Sequence, residues 1–132
     1  MSATQNYAST PRAGIGLLSA ANSARDGTGT IVNVFTAGGT GSRIDAIDIQ
    51  ATASTTPGMI RLFMFDGTNN RLIGEIPVSA ITPSGTQAAF AVQLTTANLA
   101  NLLPLILPTG YSLRASTEKA EAFNVFGIGG DF

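Results

Sequence analysis

The stretch Met59-Ile60-Arg61-Leu62-Phe63-Met64-Phe65-Asp66-Gly67-Thr68-Asn69-Asn70-Arg71-Leu72-Ile73-Gly74-Glu75-Ile76-Pro77-Val78 decides how this chain folds. Residues 59–65 are apolar at odd and even positions alike, apart from Arg61, as a strand covered on both faces requires. The five residues Asp66 to Asn70 are turn formers whose side chains bond their own backbone or tolerate left-handed conformations. Residues 71–78 then resume a strand pattern. The two runs predict an antiparallel hairpin.

Outward from this hairpin, similar short runs alternate with turn signals. They cover residues 15–18, 30–36 after Arg25-Asp26-Gly27-Thr28-Gly29, and 43–51 after Gly38-Gly39-Thr40-Gly41. Further runs follow at 88–94, with Phe90, Val92 and Leu94 on one parity, at 111–115 and at 122–128. Within 43–51 the apolar parity shifts between Ile44 and the pair Ile47 and Ile49, which predicts a β-bulge. The expected fold is all-β: an eight-stranded antiparallel β-sandwich of jelly-roll-like type. Only residues 95–103 suit a helical turn, and Pro104 would stop it. Residues 1–12 lack periodicity and contain Pro11, so they are expected to form an extended N-terminal arm with Tyr7 as its anchor. Residues 13–132 form one domain, because at 13.5 kDa folding buries about two-thirds of the extended surface, enough for a single core.

The chain has no His, no Cys and no Trp. It therefore lacks the commonest general base, the commonest metal ligand and the thiol nucleophile, and neither an enzyme nor a cofactor is expected. The eight carboxylates, Asp26, Asp45, Asp48, Asp66, Glu75, Glu118, Glu121 and Asp131, are scattered. Both glycine-rich stretches run into β-branched sequence instead of a helix N-terminus, so they read as turns and not as phosphate loops. The Asp66 loop lacks the ordered spacing of a calcium loop. Asp45 and Asp48 fall on opposite faces of a strand unless the bulge intervenes. Ser116 precedes Lys119 by three residues, but a working Ser-Lys pair sits on a helix and this segment reads as a turn.

A net charge of −1 and six Arg and one Lys spread along the chain argue against nucleic acid. The longest apolar stretch, 99–107, is interrupted by Asn101 and Pro104 and is too short for a bilayer. The first residues lack the basic and apolar regions of a secretory signal. Charged residues make up 11% against about 25% in ordinary domains, and mean hydropathy is +0.25. The surface must rely on Thr, Ser, Asn, Gln and Gly, which are cheap to desolvate against another protein. Residues 99–107 fit either a buried plug or a subunit contact that includes Leu102 and Leu103.

Taken in order, Ala3-Thr4-Gln5-Asn6-Tyr7-Ala8, Arg25-Asp26-Gly27-Thr28-Gly29-Thr30, Phe35-Thr36-Ala37-Gly38, Gly58 to Phe63, Asp66-Gly67-Thr68-Asn69, Glu75-Ile76-Pro77-Val78, Leu107 to Leu113 and Glu121 to Val125 resemble a family of small capsid decoration, or cement, proteins of tailed bacteriophages. The resemblance spans nearly the whole chain, and its motifs are turns and strands. It implies a jelly-roll-like homotrimer on the outer surface of the virion, seated between capsomers, with the major capsid protein as partner. Contacts with the shell or a neighbouring copy are then expected from Tyr7, Pro11 and Arg12 in the arm, and from Arg25, Asp26, Gly38 and Gly39 in loops. Leu102 and Leu103 join this set. The alternative is a head or tail appendage module that recognises a host-surface glycan, although two Tyr, seven Phe and no Trp supply few rings for stacking on sugars.

Overall fold

The computed structural model describes residues 9–95 and 103–132. Among them there is no helix, and nine strands form two antiparallel sheets. The strands are β1 (Thr10–Leu18), β2 (Val32–Thr36), β3 (Ser42–Ala51), β4 (Gly58–Phe65), β5 (Asn70–Val78), β6 (Ala91–Leu94), β7 (Leu105–Leu107), β8 (Ser112–Thr117) and β9 (Phe123–Asp131). One sheet runs β1-β9-β3-β6, with β7 also on β3, and the other runs β2-β8-β4-β5. The pairings nest: β1 with β9, β2 with β8, β3 with β6 and β7, and β4 with β5.

The hairpin read from residues 59–78 is β4 and β5, and its turn is closed by Asp66. Asp66 Oδ1 accepts the backbone N–H groups of Thr68 and Asn69 at 3.0 and 2.8 Å. The bulge expected in β3 lies at Asp45, where the register against β9 shifts between Ile44 and Ala46. The two sheets share one core. Ile44, Ile47, Ile49, Phe123 and Val125 face Phe35, Ile60, Leu62, Ile76, Leu113 and Ala115.

Two expectations are corrected. Thr10, Pro11 and Arg12 are not arm but the first residues of β1, paired with Asp131, Gly130 and Gly129 because β9 extends far enough to meet them. Residues 1–8, including Tyr7, lie outside the described residues. The ninth strand, β7, comes from the leucine-rich stretch. It completes the edge of β3 that β6 leaves open, since β6 pairs with Ile47–Gln50 and β7 with Ser42–Ile44. The helical turn considered for 95–103 falls mostly outside the described residues.

In β1 the usual pattern is inverted. Gly14 and Gly16 point inward, and a Cβ on Gly14 would lie 2.1 Å from the Val34 carbonyl oxygen. That distance forbids any larger residue unless the backbone moves. Ile15 and Leu17 therefore point outward.

The connection from β1 to β2 crosses the outer side of the second sheet. Asn22 organises it, donating through Nδ2 to the Thr28 and Thr30 carbonyls and accepting from the Ala24 N–H. Beneath it lies Arg61, fully buried, the one charged residue of β4. Its guanidinium donates to Glu75 at 3.0 Å, to Glu118 at 2.7 Å and to the Asn22 carbonyl at 3.4 Å. Arg25 adds a second cation to Glu75 at 2.8 Å. A buried guanidinium costs several kcal/mol to desolvate unless its donors are satisfied, so the two glutamates and this carbonyl are what make Arg61 tolerable in the sheet. The Arg25 and Arg61 guanidiniums hold the Glu75 carboxyl below the usual range, and Arg61 does the same for Glu118.

Two outcomes follow. Gly14→Ala lowers stability by about 1–3 kcal/mol through overpacking, whereas Gly85→Ala, whose Cβ meets nothing within 4 Å, stays within about 0.5 kcal/mol; urea unfolding reads both. Glutamates with depressed native values stabilise the fold above their ordinary value of 4.5, and that stability is lost as pH falls through the native value. Melting temperature should therefore drop steeply below pH 4.5 in the wild type and less steeply in Glu118→Gln. An identical acid limb in the two proteins would contradict the role given to Arg61.

Candidate interaction surface

The outer face of the five-stranded sheet is set by register. Ile15, Phe126, Asp48 and Gln93 stand side by side across β1, β9, β3 and β6, and Leu17, Asn124, Gln50 and Ala91 form the next row. Ala13, Ile128 and Ala46 extend the face in the other direction. The β1 and β9 half is thus apolar apart from Asn124, whereas the β3 and β6 half carries one carboxylate and two amides. Ile15 is 60% exposed, Leu17 65% and Ile128 41%. Ile106 of β7, 50% exposed, pairs with Arg43 near the far corner.

Side chains of this size stabilise by roughly 1.5–3 kcal/mol each when fully buried, so covering the exposed parts of Ile15, Leu17 and Ile128 gains on the order of 4 kcal/mol. Association alone costs about 4–15 kcal/mol. The patch therefore suits a contact that is repeated, or joined to polar contacts, better than one isolated docking event. Strand β1 also ends its sheet, so its second row of backbone groups has no strand beside it among the described residues. As an edge, Thr10–Leu18 is blunted only at its start, by Pro11 and Arg12; residues 13–18 carry no charge, no proline and no bulge.

At the end of β9 a polar cluster closes the sandwich. Arg12 lies 4.5 Å from the Phe35 ring centroid, pairs with Asp131 at 2.7 Å and donates to the Thr36 carbonyl. Asp131 also accepts from the Ser42 hydroxyl at 2.6 Å. Ser42 and Arg12 together hold the Asp131 carboxyl below the usual range. Ser42 Oγ in turn accepts the Gly38 N–H.

The residues singled out in the sequence do not form one site. Pro11 lies exposed on the apolar face, while Arg12 is engaged within its own chain. Arg25 and Asp26 sit on the connection over the other sheet, where Asp26 accepts from Thr28 and closes a turn. Gly38 packs against Asp131, and Gly39 is an exposed turn residue. Leu103 is buried in the core, as the plug reading of its stretch expects, and Leu102 lies outside the described residues. Ser116 is buried in β8 opposite Arg61, and Lys119 is exposed in the following turn, so the two share no contact. Sequence reasoning did not single out Ile15, Leu17, Asp48, Phe126 or Ile128 for the surface. The alternation of glycine with large apolar residues from 14 to 17 was the available signal. No protein-family model, no curated protein and no solved structure matches this chain.

Because Ile15 and Leu17 pack against little, the double variant Ile15→Ser/Leu17→Ser should unfold within about 1 kcal/mol of the wild type. A loss of several kcal/mol in urea unfolding would show instead that these side chains support the fold.

Proposed function

We propose that this chain is a structural protein that decorates and cements the capsid of a tailed bacteriophage, binding as a homotrimer between capsomers on the outer surface of the virion. The observation that carries this reading is the apolar outer face along β1 and β9, presented by an edge strand whose inward positions are glycine. Such a face is costly to leave in water and fits burial against protein. Its modest gross gain matches an arrangement in which many copies bind a repeating lattice and each trimer engages several subunits.

The nested strand pairing supports the architecture that goes with this role. Taking β6 and β7 as one interrupted strand, first pairs with last, second with next to last, and so on inward, which is the pattern of a jelly roll of two Greek keys. The sheet orders β1-β9-β3-β6 and β2-β8-β4-β5 follow from it. The residue resemblance to capsid decoration proteins points to the same class, and the partner is then the major capsid protein.

Shells assembled without this chain provide the test. Titrated with purified protein and sedimented, they should bind it to a fixed saturating stoichiometry and rupture at a higher temperature. Leu17→Asp, which places a charge in the apolar patch, should weaken binding at least tenfold while the free protein melts normally. Wild-type protein that leaves shells undecorated at micromolar concentration would sink the proposal.

A further inference from the structure

Seven of the eight carboxylates have partners. Asp45, Glu75, Glu118 and Asp131 are in ion pairs. Asp26 and Asp66 accept turn N–H groups, and Glu121 accepts the N–H and hydroxyl of Thr56. Asp48 is the exception: its Oδ1 is buried without a hydrogen bond, and it has no ion pair among the described residues. It lines a groove of about 420 Å³ on the outer face, together with Gln50, Gln93 and Phe126. A partly buried anion without a counterion is unfavourable, and a cation brought by a partner removes that cost.

We infer that this groove receives an arginine side chain of the protein that docks on the apolar patch. The inference rests on the proposed structural role and specifies the chemistry of the partner surface: one guanidinium flanked by apolar side chains. Arginine fits better than lysine because the groove sets a ring and a carboxylate in cross-strand register, Phe126 against Asp48. A planar guanidinium stacks on the ring while its fork meets the carboxylate oxygens. The chain already uses this combination internally, where Arg12 lies over Phe35 and pairs with Asp131. A second copy meeting this face about a two-fold axis is less suited to supply such a group, since the arginine it brings, Arg43, already pairs with its own Asp45 at 2.6 Å. The apolar half of the face favours protein over a saccharide, which seeks rings and hydrogen-bonding groups and gains little from Ile15 and Leu17.

The test has two arms. In the first, amide chemical shifts of the ¹⁵N-labelled chain are followed during titration with acetyl-Leu-Arg-Leu-amide and with its citrulline counterpart. The expected result is shifts confined to β3, β6 and β9 around Asp48 with the arginine peptide, at least fivefold smaller with citrulline, and reduced in Asp48→Asn and Phe126→Leu. In the second, Asp48→Asn should bind empty shells at least tenfold more weakly than wild type and with a flatter salt dependence, whereas Glu121→Gln binds as wild type does. Equal responses to the two peptides overturn the inference, as does unchanged shell binding by Asp48→Asn; if wild type still saturates shells, the structural role survives that failure. Shifts at the same residues with a monosaccharide panel and none with the arginine peptide overturn it in favour of a sugar site. Self-association of the wild type that Asp48→Asn abolishes overturns it in favour of a second copy. Arginine-dependent shifts without shell binding uphold the groove and overturn the structural role.

Discussion

The rest of this molecule depends on how closely β1 approaches β2. With the Val34 carbonyl oxygen only 2.1 Å from where a Gly14 Cβ would stand, the inner side of β1 has no room for side chains between Arg12 and Leu18. The sandwich closes at that corner through backbone and glycine, and Arg12 and Asp131 cap it at the end of β9. The same constraint determines the surface. A strand with glycine inside must place its volume outside, and here that volume is Pro11, Ala13, Ile15 and Leu17. Packing at the corner and exposure on the face are two results of one alternation.

Charge is treated differently on the two sheets. On the four-stranded sheet the outer side is closed by the β1–β2 connection, and the buried cation Arg61 is answered by Glu75, Glu118 and a backbone oxygen. On the five-stranded sheet nothing among the described residues crosses the apolar rows, and the carboxylate of Asp48 is unanswered. One sheet face is thus covered by the chain itself, with Arg114 Nε and Ser116 Oγ among its buried atoms without a hydrogen bond. The other carries both the exposed apolar side chains and the unpaired anion, which is why the functional proposal and the arginine groove are assigned to the same face.

What the sequence makes legible is what local chemistry determines. The β4–β5 hairpin follows from Asp66 and its turn, and the β3 bulge from the parity change after Ile44, because each signal lies within a few residues of its effect. Arg61 stands out as the odd charge in an apolar run, yet its partners lie 14, 39 and 57 residues away, beyond any local pattern. Thr10–Arg12 look like an arm because their pairing depends on how far β9 runs. The strand β7 is hidden in a leucine-rich stretch that has no clean alternation. Ile15 and Leu17 look like core residues in any reading of alternation, since a period of two cannot say which face is inside; the glycines between them decide it, and only through contact with β2. Asp48 and Phe126 carry no sequence signal, because their conjunction is made by the register between β3 and β9.

The face formed by β1 and β9 is the surface proposed to meet the partner. Side-chain footprinting of the chain, free and bound to shells, tests it most directly, because carbene labelling reports the exposure of aliphatic and aromatic groups. The account predicts that labelling of Ile15, Leu17, Phe126 and Ile128 falls sharply on binding while Arg25 and the rest of the β1–β2 connection are labelled as before. Unchanged labelling of those four residues, with protection over the connection instead, would contradict it.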